Sequence, residues 1–195
     1  MNNYAEYKLN DTTHWEWHTT FVGQYMQHNY RLYPILDSVF QNNPQIERIV
    51  EIGTGAGALT TFLGLWGLKR NIPLLTLDIK PEADRKFLEK LGVKLIVGDE
   101  FNEFVRTSIK SFIKERPTLF ICDGANKQDE LNYWAQYLVP NSIIAAHDLG
   151  VEFSVLNIPP PIKLSLIPII EERWMEMNAQ IAIFKINGYR MLQNS

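Results

Sequence analysis

Five short apolar runs recur along the chain, ERIVEI, PLLTLDI, VKLIVGD, TLFICDG and SIIAAHD, each finishing in or beside an acidic residue or a glycine turn. The segments between them are LTTFLGLWGLKR, PEADRKFLEKLG, FNEFVRTSIKSFIKER and QDELNYWAQYLV. Each can supply a helix of roughly three turns, near the mean for globular proteins. Strand-length runs alternating with helix-length segments specify βα units, and therefore an α/β fold with a mainly parallel central sheet flanked by helices. In such an open sheet the ligand sits beyond the carboxyl ends of the strands. The acidic tips are thus expected to line a single crevice. Pro81 and Asp129 are expected near helix starts.

The ends of the chain are less regular. Residues 18–43, including FVGQYMQHNYRLYPILDSVFQ, read as one or two helices covering the first strand, with Pro34 as a break or a first-turn residue. The tail holds QIAIFKI, an expected antiparallel last strand. Before it, Pro159 to Pro161 cannot continue a helix or a central strand. A rigid surface loop leading into an antiparallel edge strand is the expectation there, with a mobile lid as the alternative.

Of the 195 residues 46% are apolar, enough for one domain with a substantial core. We divide it into an N-terminal helical cap at 1–45, a binding core at 46–150, and a proline-rich loop with C-terminal strands at 151–195. Net charge is −3, from 19 basic and 22 acidic residues. With no long basic run, nucleic acid is a poor candidate partner. A lone cysteine, Cys122, excludes an intramolecular disulfide and fits a reducing compartment as a core thiol. The N-terminus lacks a signal-peptide pattern and no apolar run approaches membrane-spanning length. A soluble, cytoplasmic protein acting on a small molecule is the expectation.

The stretch VEIGTGAGAL ends the first strand in Glu51 followed by Gly53, Gly55 and Gly57. Glycines can take positive φ and let backbone approach a bulky ligand, and the helix that follows turns free N–H groups toward it. Taken alone, the turn also satisfies the nicotinamide fingerprint G-x-G-x-x-G/A. Its neighbours discriminate. A carboxylate at Glu51 suits a ligand bearing an ammonium group, such as S-adenosylmethionine, and ill suits a pyrophosphate. Asp78 is placed to accept from two ribose hydroxyls, while Asp99 and Glu100 end the third strand where an adenine edge would lie.

VEIGTGAGALTTFLG, followed by LLTLDIKPEADRKFLEKLGVKLIVGDEFNE, resembles the first three motifs of class I S-adenosylmethionine-dependent methyltransferases. TLFICDGANKQDELNYWAQYLVPNSIIAAHDLG is similar to the branch of small-molecule O-methyltransferases and cephalosporin-hydroxylase-like proteins, in which an I-D-G-x-H turn precedes a G-G-x-x-x-x-H-D strand end. The resemblance spans about residues 45–150. It implies a Rossmann-like methyltransferase fold that binds S-adenosylmethionine. In that reading Glu51 lies by the methionine amino group, Gly53, Thr54, Gly55 and Gly57 form the wall beneath it, and Asp78 holds the ribose. Asp99 and Glu100 sit by adenine, and Asp123 faces both methionine and substrate. It also implies magnesium or another divalent cation on Asp123 and Asp148, with His147.

The chain departs from that pattern in two places. The second ligand pair reads His147-Asp148, although magnesium prefers oxygen donors, and Asn126 stands where the turn would carry histidine. Metal dependence therefore stays open. Transfer from a sulfonium needs an aligned nucleophile and removal of its proton. His147, Lys127 and a metal on Asp123 and Asp148 are the candidate means. His14, Trp15, Trp17 and His18 match no zinc spacing and read as packing or a self-association surface, which leaves a homo-oligomer open. Trp66 and Trp134 read as core, and Trp174 as a residue near the substrate opening. A nicotinamide-dependent oxidoreductase and a non-catalytic S-adenosylmethionine-binding module are the alternatives.

Overall fold

The computed structural model describes residues 19–169 and 179–187. The cluster His14, Trp15, Trp17 and His18, and Trp174 with its charged neighbours, lie outside the described residues. The elements in chain order are β1 (Thr19–Phe21), β2 (Gln24–Met26), α1 (Leu32–Asn42), β3 (Arg48–Ile52), α2 (Ala58–Arg70), β4 (Leu74–Asp78), α3 (Arg85–Lys90) and β5 (Lys94–Val97). There follow α4 (Glu103–Ile113), β6 (Thr118–Cys122), α5 (Lys127–Trp134), β7 (Ile143–Ala146), α6 (Pro160–Lys163), β8 (Leu166–Pro168) and β9 (Ala182–Ile186).

Strands β3 to β9 form one seven-stranded sheet in the order β5-β4-β3-β6-β7-β9-β8. The first five are parallel, and β9 runs antiparallel to both β7 and β8. The expected α/β architecture with an antiparallel C-terminal strand is therefore what the chain adopts. The order reverses between β3 and β6, because β3 is followed by β4 on one side and β6 lies on the other. Such a switch point opens a crevice at the carboxyl ends of the strands.

Side chains alternate across the pleat, and this sorts the core into two layers. Ile49, Leu74, Leu119 and Ile121 pack with Leu36 and Phe40 of α1 and Leu63 and Trp66 of α2. Val50, Leu75, Leu77 and Phe120 pack with Ile109 of α4 and Leu131 and Trp134 of α5. Trp66 stacks on Phe40 and Trp134 on Phe120, so both tryptophans are core, as is the fully buried thiol of Cys122.

Three local expectations are corrected. Residues 19–26 form a hairpin rather than helix, because Val22 and Gly23 both take positive φ and close β1 on β2, as a two-residue hairpin loop requires. Only Leu32–Asn42 is helical within residues 19–43, with Pro34 in its first turn. Helix α3 is one and a half turns long and starts after Asp84, whose carboxylate accepts from Phe87 N–H. Pro81 lies upstream, because the N–H groups of Glu82 and Ala83 instead bind the carbonyl of Gly55. Pro160 and Pro161 initiate α6, where a missing N–H costs nothing, and β8 then pairs with β9 as the edge strand.

Candidate active site

A cavity of about 340 Å³ opens at the carboxyl ends of the parallel strands. Its floor is the glycine turn from Gly53 to Gly57; Asp78, Glu100, Asp123 and His147 reach it from the ends of β4, β5, β6 and β7. Tyr25, Gln27 and His28 cover it from the N-terminal hairpin and the loop beyond. This volume falls within the usual range for small-molecule sites.

The register of the sheet explains which side chains meet. Ile52 pairs with Cys122 and Cys122 with Ala146, so Gly53, Asp123 and His147 leave the sheet side by side. Gly53 has φ +92, and a Cβ there would lie 2.2 Å from the carbonyl oxygen of Asp123. At this position glycine serves the close approach of β6 more than that of a ligand. Gly55 donates its N–H to Asp78 Oδ2 at 2.8 Å, which ties the turn to the tip of β4. Thr54 also lines the cavity, its hydroxyl 2.7 Å from that of Thr76.

Glu51 is not where an ammonium ligand would need it. By the strand alternation that sends Val50 and Ile52 to the α4 and α5 layer, Glu51 turns to the opposite face. There it is fully buried, with Oε2 accepting from Thr60 and Thr76 at 2.5 and 2.6 Å. Burial raises its pKa to about 8, only partly offset by the two hydroxyls, so at neutral pH it keeps its proton. It does not line the cavity, and neither does Asp99, whose Oδ1 accepts from Phe101 N–H. Of the two acids that end β5, Glu100 is the one facing the cavity, and burial raises its pKa.

At the other end of the cavity Asp123 sits between two imidazoles. His28 Nε2 is 2.5 Å from Oδ2 and His147 Nδ1 is 3.3 Å from Oδ1, and the two rings meet edge to face at 4.8 Å. Burial alone would raise the Asp123 pKa, but the neighbouring His28 and His147 outweigh it and hold the carboxyl well below its usual range. Burial works against a charged His147, yet its hydrogen bonds to Asp123 and Asp148 prevail and raise its pKa to about 9. At neutral pH it is therefore a protonated donor, which corrects the expectation of a ready general base.

Lys127 is likewise not a base. Its ammonium donates to Gly124 O at 2.9 Å and Glu152 Oε2 at 2.6 Å, and pairs with Asp148 Oδ2 at 2.9 Å. Burial disfavours the charge, but these acids more than compensate and raise the pKa. Lys127 clamps the turn after β6 to the loop after β7. Asp148 is occupied on both oxygens, Oδ1 lying 3.1 Å from His147 Nδ1, and the hydrogen bond from His147 is the chief reason its pKa is lowered.

Among the described residues, the side chains that could jointly hold a metal are His28, Asp123 and His147, whose donor atoms lie within 4.8 Å of one another. Of the expected set, Asp123 and Asp148 with His147, the first and the last belong to this cluster and Asp148 does not. Sequence reading missed His28, which follows a short hairpin with no motif around it. It also missed Glu130, a buried acid on α5 that accepts from the N–H groups of Gly124 and Asn126, both at 3.1 Å. Burial raises its pKa to about 7, with those backbone donors opposing. The acid four residues after Asn126 was the available signal.

No protein-family model matches the chain, and no curated protein matches its sequence. Solved structures do match its fold. An apo structure of CmcI aligns with TM-score 0.64 and 13% identity over 87% of this chain and 76% of that one. MycE, a methyltransferase of the mycinamycin biosynthetic pathway in complex with magnesium and S-adenosylhomocysteine, aligns with TM-score 0.56 and 16% identity over 82% of this chain. The match spans 47% of the MycE chain, just under half its length. The S-adenosylhomocysteine-bound Podospora anserina methyltransferase PaMTH1 gives TM-score 0.53 and 17% identity over 80% and 78% of the two chains. The shared feature is the fold. Among the described residues no helix is long and apolar enough to cross a membrane.

Proposed function

We propose that this chain transfers the methyl group of S-adenosylmethionine to a hydroxyl of a small polar acceptor, with an amine as the less favoured nucleophile. The observation that carries the reading is one cavity with different chemistry at its two ends. Asp78 and Glu100 lie toward β4 and β5, Asp123 with its two histidines toward β6 and β7, and the glycine turn between them. Asp78 would accept from a ribose diol and Glu100 would meet the adenine edge. Asp123 would face the methionine end and the acceptor. The folds that resemble this one include methyltransferases holding the demethylated cofactor, which supports the choice over a nicotinamide.

S-adenosylmethionine, when bound, supplies a sulfonium-activated methyl group. The chain then has to align a nucleophile with that group and take its proton, and alignment alone is worth several kcal/mol, of order 7–11 at the upper limit. An acceptor hydroxyl whose pKa is about 10 or higher needs help in losing its proton, and at this end the ionised Asp123, rather than the protonated His147, is the group that would accept it. Magnesium does not fit the residues present. It demands oxygen ligands, whereas the cluster offers one carboxylate and two imidazoles, and Asp148 is held by Lys127 and His147.

Calorimetry with S-adenosylhomocysteine and with NAD tests the reading. We expect binding of the first and none of the second; tight NAD binding without a response to the sulfonium-derived ligand would overturn it. Turnover lost in Asp123→Asn while cofactor binding is retained would distinguish an enzyme from a pure binding module.

A further inference from the structure

We propose that His28, Asp123 and His147 form a binding site for a transition-metal dication of the zinc, ferrous or cobaltous class, and that the site discriminates against magnesium. It lies in the cavity of the proposed methyl transfer and in that sense builds on that reading, but it is argued from the side chains alone. Their donor atoms lie within 4.8 Å of one another, with Asp123 central at 2.5 Å from His28 Nε2 and 3.3 Å from His147 Nδ1. Ligand bonds of about 2.1 Å form once the cation displaces the Nδ1 proton of His147, which is released on binding.

The ligand types select the metal. Two imidazoles and one carboxylate suit zinc or ferrous iron, which accept nitrogen donors, and leave positions open for a further ligand. Magnesium would need more oxygen donors than Asp123 supplies, and the neighbouring Asp148 has its Oδ2 paired with the Lys127 ammonium.

Rigidity and charge agree with this. Asp123 and His147 are fixed by backbone bonds continuing the sheet, Asp123 N–H to Ile52 O at 3.0 Å and His147 N–H to Cys122 O at 3.1 Å. The Lys127 charge, which would repel a cation, is balanced by Asp148 and Glu152. Asp123 is thus the carboxylate left to meet the cation.

The two histidines are 9% and 3% exposed, and the nitrogens they present to Asp123 are His28 Nε2 and His147 Nδ1. All three side chains line the cavity, so a cation held there remains accessible to a substrate oxygen. An ion in this position would act as a Lewis acid toward a hydroxyl.

The test uses the intact chain without cofactor, titrated with Co²⁺, Zn²⁺ and Mg²⁺ and followed by cobalt visible absorption and calorimetry. We expect one Co²⁺ or Zn²⁺ per chain, bound at least about 100-fold more tightly than Mg²⁺, in line with the ligand preference. His28→Ala and Asp123→Asn should each weaken Co²⁺ binding about tenfold or more, and Asp148→Asn by less than about threefold. His28→Gln serves should the alanine variant melt early. Magnesium binding as tight as zinc, unchanged affinity without His28, a larger loss from Asp148→Asn than from His28→Ala, or no cation bound would each overturn the site. S-adenosylhomocysteine calorimetry on the same samples separates the two claims. Cofactor binding without cation binding sinks the metal site alone, and the converse sinks the methyl-transfer reading alone.

Discussion

His28 Nε2 lies 2.5 Å from Asp123 Oδ2, joining residues 95 positions apart in the chain. The contact fastens the N-terminal segment onto the end of β6 and makes it part of the cavity wall. It also closes the Asp123 carboxylate between two imidazoles. If this end handles the acceptor, His28→Gln should lower kcat by about tenfold or more while changing the S-adenosylhomocysteine Kd less than about threefold. That split marks loss at the reacting centre rather than of uniform binding. Steady-state kinetics with calorimetry checks it; an equal loss in both would point to a collapsed cavity.

Asp78 has a double role, accepting from Gly55 N–H at 2.8 Å and from Lys80 N–H at 2.7 Å while lining the cavity. Asp78→Ala should weaken S-adenosylhomocysteine about tenfold or more, the value of one or two hydrogen bonds to a charged group. Asp78→Asn, which keeps an acceptor oxygen, should lose less. Isothermal titration of both variants against the parent measures the order.

Gly53→Ala should destabilise the fold by about 2 kcal/mol or more, from strain at positive φ and the clash of the new Cβ with the carbonyl of Asp123. For a chain of this size that lowers Tm by roughly 4–8 °C. The contact sits 2.2 Å from backbone, not from a side chain that can swing aside. Differential scanning calorimetry reads it directly, and an unchanged Tm would refute the stated role.

Glu51 gives the fold a predictable pH dependence. Its pKa is about 8 in the folded chain against 4.5 ordinarily. A raised folded pKa means its contribution to stability is fully present below about pH 4.5 and is lost as pH rises through 8. Glu51→Gln removes that titration. The stability difference between wild type and variant should therefore shift toward the variant by on the order of 4 kcal/mol between pH 4.5 and pH 9. Urea unfolding of both proteins across this range tests it, and parallel profiles would show that the carboxyl does not titrate as its burial implies.

Lys127 and Glu152 share one ion pair but differ in exposure, their side chains being 8% and 52% accessible. Lys127→Met leaves Asp148 without its cation in a partly buried setting and should cost about 3 kcal/mol. Glu152→Gln breaks a solvent-screened contact and should cost less than about 1 kcal/mol. Chemical denaturation of the two variants gives the comparison; equal losses would mean that the clamp works through Glu152 instead.

The α/β architecture and the location of the crevice were legible in the chain because apolar runs of strand length, each ending in or beside an acid or the glycine turn, alternate with helix-length segments. Asp78, Glu100, Asp123 and His147 could be named from sequence because strand ends in a parallel sheet converge. The orientation of Glu51 and the occupation of Asp148 could not, since one depends on which face of β3 covers α2 and the other on Lys127 and His147 arriving from different elements. The hairpin at Thr19–Met26 was hidden because three-residue strands carry too little periodicity to oppose a helix reading. His28 had no local signal at all. The sequence by itself determined the alternation of strands and helices from β3 to β7 and the acids at their tips, as these follow from periodicity and spacing. Only the tertiary structure decided which of those acids face the cavity and that a distant histidine joins them, since side-chain direction and long-range proximity arise when the layers pack.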